Sequence, residues 1–367
     1  MKIALIKQDI YQDLYVCAKN DNPFNILKST LMRIGPLALF TDYGADFYII
    51  KEQPEHECRA WEHSFRVPDD LKKQLKNLPA HKLNAFNFKY LQPLSENSHK
   101  DFAIAPDDID WSVYDIVISI NIAVPTRIVK KYPNTLWCYM YGEANADTHC
   151  VRFGYDAVLT QNLTGEVADK PGKIDFPYTF LSDTTLEHIA EQAFGTVCNK
   201  TGVYAEINNT EERPVLDVPC MHFIKETGHP LVLHSQNIIT NTERLYHSKY
   251  FVKVAGRKIR GNSVIEAISA GTLVLMNPKD VMHSQLLPKE TWVHSESEII
   301  KKIKELDADP DYYLHLLNKQ RELLRFFVID TPMESLKNAL SAKRLGITPQ
   351  KTSFKQKIKQ AIRIFYE

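Results

Sequence analysis

The stretch "VKVAGRKIRGNSVIEAISAGTLVLMNP", residues 252–278, sets a run of cations between an apolar strand and a short apolar helix. "YFVKVAG" (250–256) and "TLVLMNP" (272–278) predict buried strands, and "NSVIEAISA" between them predicts a helix. We expect Gly261 to form the tight turn before this helix, Asn262 or Ser263 to cap it, and Gly271 to end it.

The start of this helix has the composition of an anion site. A helix N-terminus presents N–H groups without intrahelical partners and the positive end of the helix dipole. Arg257, Lys258 and Arg260 add positive charge beside it, which favours a phosphate. Glu266 lies about one turn further on, where a carboxylate can accept hydrogen bonds from ribose hydroxyls. The alternative is that "RKIRG" is a solvated loop and that Glu266 serves local hydrogen bonds.

Two series of strands make up the rest of the chain. The first is predicted at residues 2–6, "ADFYIIK", "YDIVISIN", "TLWCYMYGE" and "YDAVLTQN", and the second adds "GVYAEINN", "PLVLHSQN" and "TWVHS". Polar or helical segments join these strands, which indicates an α/β protein with two Rossmann-like domains built on parallel sheets. Open parallel sheets bind ligands at the carboxyl ends of their strands, so two facing sheets predict a central cleft.

We divide the chain at the junction of the two series. Residues 1–180 and 181–345 are expected to form the two domains, and the polar segment 52–105 is typical of an insertion. Residues 346–367 include "TSFKQKIKQAIRIFYE", which predicts a basic amphipathic helix. Such a helix can lie on an anionic bilayer or dock across the domain boundary.

Length and composition exclude several classes. The 367 residues carry 45 Lys+Arg and 45 Asp+Glu, and this zero formal charge gives no general attraction for nucleic acid. The six cysteines form no CxxC pair, which favours buried free thiols in a reducing compartment over zinc or disulfides. The apolar start of "MKIALIKQDIYQ" is too short for a signal peptide, and no run reaches the roughly 18 apolar residues of a membrane span. A cytoplasmic protein is expected.

Residues 261–274 resemble the donor-binding helix of GT-B glycosyltransferases, in which a small-residue turn precedes a Glu-Ala pair and Gly-x-x-Val. The resemblance implies a GT-B fold with an acceptor-binding first domain, a second domain that binds a nucleotide-sugar donor, and no further cofactor. In one respect the sequence departs from retaining GT-B enzymes with two glutamates eight residues apart, because the first position is Lys258 here. The matching residues are Gly261, Asn262, Ser263, Glu266, Ala267, Gly271 and Val274.

Two acids are the candidate catalytic residues. Glu143 follows the strand "TLWCY", and we expect it to take the proton of the acceptor hydroxyl. Asp217 lies in the apolar "RPVLDVPCMHF", where it is either a nucleophile that forms a glycosyl-enzyme intermediate or a satisfied helix cap. In this respect the chain looks similar to the retaining β-Kdo transferases of bacterial capsule and O-antigen assembly. That similarity implies CMP-Kdo as donor and a lipopolysaccharide or capsule glycan as acceptor.

Other polar residues at strand ends are candidate ligand contacts. His234 and Ser235, at the end of "LVLHSQN", are predicted to hold a nucleotide base or a sugar hydroxyl. We predict a metal-independent reaction, because no acidic pair lies in a context that demands a metal, and we expect "DDID" (107–110) to be a solvated loop. The expected acceptor contacts are Gln8, Asp9 and His149.

Two other function classes fit the same pattern. A nucleotide-sugar epimerase of similar shape would interconvert free nucleotide sugars without an acceptor. A non-catalytic nucleotide- or sugar-binding protein would keep its activity when Glu143 or Asp217 is replaced by alanine. For the transferase, the expected partners are the nucleotide-sugar donor, a glycan or glycolipid acceptor, and the inner membrane as a peripheral contact.

Overall fold

The computed structural model describes residues 1–8, 36–50, 105–120, 122–140, 154–163, 172–207, 226–234, 238–255, 259 and 261–346. These residues fall into two compact units. The first runs from Met1 to Tyr178 and resumes at Thr331, and the second is Thr179–Asp330. The expected insertion (52–105, apart from its last residue) and the expected basic helix beyond Gly346 lie outside the described residues.

A parallel sheet is the centre of the first unit. Its strands are β1 (Ile3–Gln8), β2 (Asp46–Ile50), β3 (Ile116–Ile120), β4 (Leu136–Met140), β5 (Ala157–Leu159) and β6 (Lys173–Ile174). Within the described residues they lie in the order β2-β1-β3-β4-β5-β6, with every pair parallel. The short helices α1 (Leu37–Thr41) and α2 (Thr126–Lys131) belong to the same unit. Every residue of β3 and β4 is buried, as expected for strands covered on both faces.

Aromatic side chains fill much of the core of this unit. The Trp111 and Trp137 rings lie 5.4 Å apart, and the Tyr48 and Tyr114 hydroxyls are 2.6 Å apart. Tyr114 Oη donates to the buried Asp46 Oδ2 at 2.6 Å. Burial raises the pKa of Tyr48 to about 12, and burial together with the hydrogen bond to Asp46 raises the pKa of Tyr114 above its ordinary range. Both hydroxyls therefore remain protonated in the folded protein well above neutral pH.

The second unit repeats the α/β pattern. Its strands are β7 (Val203–Ile207), β8 (Leu231–Leu233), β9 (Tyr250–Ala255) and β10 (Leu273–Leu275). In the described part of this unit they are parallel and ordered β10-β9-β7-β8. The helices are α3 (Thr185–Phe194), α4 (Ile238–His247), α5 (Asn262–Ser269), α6 (Glu296–Ala308) and α7 (Pro310–Leu324). The predicted α/β class is confirmed, because each unit has the parallel sheet and helices expected of a GT-B domain.

A further helix returns the chain to the first unit. A π-helical turn, Arg325–Asp330, follows α7 and leads into α8 (Thr331–Arg344). Helix α8 packs on β4 and β6, whereas the sequence division assigns it to the second domain. Its last turn pairs with acids that precede strands of the first sheet: Lys343 with Asp156 at 2.6 Å and Arg344 with Asp115 at 2.6 Å.

The segment "TWVHS" (291–295), predicted as a strand, does not form one. A 3₁₀ turn covers Lys289–Thr291, and Trp292 forms an isolated bridge to Met276 within the described residues. Ser295 already caps α6, because its Oγ accepts from Glu298 N at 3.3 Å. The turn and the helix cap leave too few residues between them for a ladder.

A side chain closes the edge of β10, the edge strand of the second sheet within the described residues. Gln320, on α7, is fully buried. Its Nε2 donates to Val274 O at 2.8 Å, and its Oε1 accepts from Val274 N at 2.9 Å. The amide therefore takes the place of a neighbouring strand and satisfies both backbone groups of Val274.

Replacing Gln320 with leucine is expected to lower the free energy of unfolding by about 3 kcal/mol. Both backbone groups of Val274 would lose their partner, and a buried unpaired polar group costs about 1–3 kcal/mol. Urea unfolding of the full chain measures the loss. Asn318→Leu is the matched control, because Asn318 is exposed on the same helix and should change stability by less than about 0.5 kcal/mol. Equal losses in the two variants would contradict this role of Gln320.

Candidate functional site

Strand β9 leads into α5, the helix predicted to bind the donor. Gly261 is its N-cap with φ +119°, Asn262 is the first helical residue, and no side chain of the described residues caps the helix. A Cβ at Gly261 would lie 2.8 Å from His283 Cδ2. The prediction that Asn262 or Ser263 is the cap is therefore wrong. The left-handed turn against His283 requires glycine, so the helix begins directly after it.

Between β9 and Gly261 the structure describes one residue, Ile259, whose exposure is 8%. Ile259 N donates to Asp280 O at 2.9 Å, and Met282 N donates to Ile259 O at 2.8 Å. Ile259 is therefore held between backbone partners as a strand residue is. The adjacent cations, Arg257, Lys258 and Arg260, lie outside the described residues.

Helix α5 has one apolar and one polar face. Val264, Ile265, Ala267 and Ile268 are buried, whereas Asn262, Ser263 and Glu266 are partly exposed. Residues three and four apart are neighbours on a helix, so Glu266 lies one turn beyond Asn262 and Ser263 on the same face. The polar face thus extends from the helix N-terminus to this carboxylate.

The C-terminal end of α5 is held by an ionic cluster around Gly271. Lys200 Nζ donates to Ala270 O at 2.6 Å and to Gly271 O at 3.0 Å, and Arg321 pairs with Glu187 beside it. Gly271 has φ +75°, and a Cβ there would lie 2.8 Å from Lys200 Nζ. Burial lowers the pKa of Lys200 to about 8. These contacts restrain the helix from the end opposite to its candidate anion site.

The end of β8 supplies a second polar group. His234 is exposed, and its Nδ1 lies 2.7 Å from the hydroxyl of Tyr204, which donates to Asn241 Oδ1 at 2.6 Å. Desolvation of the inner side of the ring lowers the pKa of His234, and the positive charge of Arg244 lowers it further. The imidazole is therefore neutral at neutral pH. Strands β8 and β9 lie on either side of β7, so their ends are roughly 10 Å apart.

Several predicted site residues lie outside the described residues, and sequence reasoning missed others. Gln8 is the last residue of β1, at the carboxyl edge of the first sheet. Tyr204, Asn241 and His283 were not predicted. A tyrosine in a buried strand indicates a hydrogen-bond partner for its hydroxyl, whereas no local pattern indicates the other two. The predicted residues outside the described ones, besides the three cations, are Asp9, Glu143, His149, Asp217 and Ser235.

Among the described residues, no group of three or more His, Cys, Asp or Glu could hold a metal ion. The acidic segment "DDID" (107–110) lies within the described residues. Its three acids, Asp107, Asp108 and Asp110, are exposed, as predicted for a solvated segment, although Asp107 and Asp108 belong to the 3₁₀ turn Pro106–Asp108 and Asp110 precedes a second turn, Trp111–Val113. Asp107 pairs with Arg127, and Asp110 Oδ1 accepts from Ser112 N at 3.1 Å.

Two of the six cysteines are described, and neither forms a disulfide. Cys138 is buried in β4, as predicted, but Cys198 is exposed. The prediction of a buried thiol is wrong for Cys198, because it lies in the turn region that follows α3. Within the described part of the chain, no helix has both the length and the apolarity to cross a bilayer.

Comparison with known proteins finds similarity among solved structures. No family model matches the chain, and no curated protein matches it. It is similar to T4 phage β-glucosyltransferase, with 12% identity over 95% of this chain and 100% of that one and a TM-score of 0.37. It is also similar to sucrose-phosphate synthase from Thermosynechococcus elongatus, with 14% identity over 94% of this chain and 98% of that one and a TM-score of 0.35. A UDP-N-acetylglucosamine 2-epimerase is similar with 12% identity over 96% of this chain and 99% of that one and a TM-score of 0.40.

Proposed function

We propose that this protein is a glycosyltransferase that uses a nucleotide-sugar donor. The observation that carries the proposal is the N-terminus of α5, which follows the β9 loop at the carboxyl edge of the second sheet. There, Gly261 turns the chain with φ +119° and no described side chain caps the helix. A helix start of this kind offers backbone N–H groups to an anion.

The leaving group of a nucleotide sugar is a phosphate, on which negative charge develops as the glycosidic bond breaks. N–H groups and cations that are already in place stabilise that charge in the transition state. In the proposed site the amides of the first turn of α5 act together with Arg257, Lys258 and Arg260. Ile259, which lies between these cations in the sequence, is itself held by two backbone hydrogen bonds.

The nucleoside would bind along the same edge of the sheet. Glu266, one turn from the helix start, is proposed to accept hydrogen bonds from ribose hydroxyls, as the resemblance to GT-B enzymes implies. His234 and Ser235, after β8, are proposed to contact the base or a sugar hydroxyl. The spacing of about 10 Å between the ends of β8 and β9 suits a nucleoside that extends from a phosphate at α5 towards β8.

For the chemical step we propose a double displacement without a bound metal. The carboxylate of Asp217 attacks the anomeric carbon and the nucleotide leaves with the bonding electrons. The acceptor hydroxyl then transfers its proton to Glu143, and its oxygen displaces Asp217 from the same carbon, so the configuration is retained. Gln8, Asp9 and His149 are proposed acceptor contacts.

The finer proposal for the substrates follows the same resemblance. CMP-Kdo is the proposed donor, and a lipopolysaccharide O-antigen or capsule glycan is the proposed acceptor. The basic helix at 346–367 would bring the protein to a lipid-linked acceptor at the cytoplasmic face of the inner membrane.

A panel of donors tests both levels of the proposal. Incubation with CMP-Kdo, UDP-hexoses and GDP-hexoses should release one free nucleotide, and a chelator should leave the rate unchanged. Release of CMP supports Kdo transfer, and release of UDP or GDP supports transfer of a hexose. Conversion of a free nucleotide sugar into its epimer without an acceptor would identify an epimerase. Binding without either reaction would identify a non-catalytic binding protein.

Removal of the cations tests the phosphate site directly. In Lys258→Ala/Arg260→Ala, the dissociation constant of the nucleotide released in the panel should rise by about 100-fold, because each charge-assisted hydrogen bond contributes about 1.5–3 kcal/mol. Lys301→Ala/Lys337→Ala also removes two positive charges, from exposed positions on α6 and α8, and should leave binding unchanged. Similar losses in both variants would attribute the effect to net charge and contradict the site.

A further inference from the structure

The inner side of the His234 ring contacts the buried Tyr204, which in turn contacts the buried Asn241; the exposures of these two residues are 1% and 5%. Tyr204 has one hydroxyl proton, and it donates that proton to Asn241 Oδ1 at 2.6 Å. The 2.7 Å contact between Tyr204 and His234 Nδ1 must therefore use the proton of the imidazole. His234 Nδ1–H donates to Tyr204, and the lone pair of the neutral ring lies on Nε2.

This arrangement selects the tautomer protonated at Nδ1, which is the less usual form of a neutral imidazole. A neutral imidazole has one donor and one acceptor nitrogen, and the partner of one nitrogen decides the role of the other. Here the series of hydrogen bonds runs from β8 through β7 to α4, within the second unit. The guanidinium of Arg244, which donates to Leu233 O at 2.7 Å, adds positive charge near the ring and disfavours a second proton on it.

We propose that Tyr204 and Asn241 are positioning residues that fix His234 as a hydrogen-bond acceptor at Nε2, which receives an N–H or O–H group of the bound nucleotide. This inference rests on the proposed function for the identity of the ligand. It deepens that function because an acceptor at this position selects ligands that present a donor. The imide N–H of uracil or guanine, the exocyclic amino group of cytosine and the ribose 2′-hydroxyl are such donors, whereas the ring N3 of cytosine is an acceptor.

The first measurement needs no ligand. In protein labelled with ¹⁵N-histidine, at a pH where His234 is neutral, its Nδ1 should give the shift of a protonated nitrogen and its Nε2 that of an unprotonated one. The His234→Gln spectrum identifies the signals. Asn241→Ala frees the Tyr204 proton to donate to Nδ1, so the proton of the ring should move to Nε2. Asn241→Asp keeps an acceptor and should retain the original form. A protonated Nε2 in the wild type, or no change in Asn241→Ala, would overturn the positioning role.

The second measurement uses UDP as the probe, with CMP in its place throughout if the donor panel releases CMP. His234→Leu and Asn241→Ala should weaken UDP binding about three- to tenfold, the effect of one hydrogen bond. His234→Gln, whose amide oxygen can occupy the place of Nε2, should restore most of it. CDP binds more weakly than UDP if the imide N–H is the donor, and 2′-deoxy-UDP binds more weakly if the hydroxyl is. Wild-type affinity in His234→Leu would overturn the ligand contact.

Two controls separate this inference from other causes. His247→Leu changes a partly exposed histidine at the opposite end of α4 and should leave UDP binding unchanged. Urea unfolding of each variant detects loss of the fold. If the wild type binds no nucleotide at all, the proposed function fails and the ligand contact with it. The spectrum of the unliganded protein still decides the positioning role.

Discussion

Replacing Gly261 with alanine is expected to lower the free energy of unfolding of the second unit by about 3 kcal/mol and to weaken nucleotide binding. Two effects add at this residue. A side chain in the left-handed region costs about 1–2 kcal/mol, and crowding in a packed interior costs about 1–3 kcal/mol. The new Cβ would approach His283 Cδ2 to 2.8 Å and His283 Cβ to 2.9 Å. Because His283 is buried, the turn must shift, and the N–H groups of α5 shift with it.

Gly228→Ala separates the two effects. Gly228 has φ +74°, but no described atom lies within 4 Å of the position that a Cβ would take there, so only the backbone contribution of about 1–2 kcal/mol remains. The double variant Gly261→Ala/His283→Ala removes the crowding. Its loss of unfolding free energy should be smaller than the sum of the losses of the two single variants by about 1 kcal/mol or more, within the usual range for residues in contact. Equal losses for Gly261→Ala and Gly228→Ala would show that contact with His283 is unimportant.

Raising the pH from about 9 to about 11 is expected to destabilise the first unit by about 3 kcal/mol. Tyr48 has a folded pKa of about 12, and that of Tyr114 is also raised, whereas tyrosines of an unfolded chain ionise near 10. The folded state therefore holds more protons than the unfolded state above about pH 10. Stability falls as the pH rises, by up to about 1.4 kcal/mol per tyrosine for each pH unit.

Tryptophan fluorescence during urea unfolding follows this unit in a Trp292→Phe background, because the other three tryptophans lie in residues 1–178. The second unit is less suitable for this measurement of stability against pH. Burial lowers the pKa of Lys200 to about 8, and this shift opposes the effect of the tyrosines of the second unit. Tyr48→Phe removes one titrating group but keeps the Tyr114–Asp46 hydrogen bond. It should halve the pH dependence. A full wild-type dependence in Tyr48→Phe would contradict the assignment.

Much of the fold could be predicted because its signals are local. The runs "IVISI" of β3 and "LVL" of β10 (273–275) are buried throughout, and continuous apolar runs of this length are typical of parallel strands. The apolar face of α5 and the glycines at its two ends are equally local. For the candidate site, the same reasoning identified the α5 N-terminus, Glu266 and His234 as candidates, since each lies at a strand end or helix start.

The amino-acid sequence by itself determined the α/β class, the order of strands β1–β5 and β7–β10, and the glycine-bounded helix after β9. Only the tertiary structure decided the roles that depend on residues far apart in the chain. His283 makes Gly261 the cap of α5, Gln320 pairs with the edge of β10, α8 packs on β4 and β6, and Asn241 sets the proton of His234 through Tyr204. Periodicity and turn residues reflect contacts within a few residues, whereas these contacts form only when distant segments pack together.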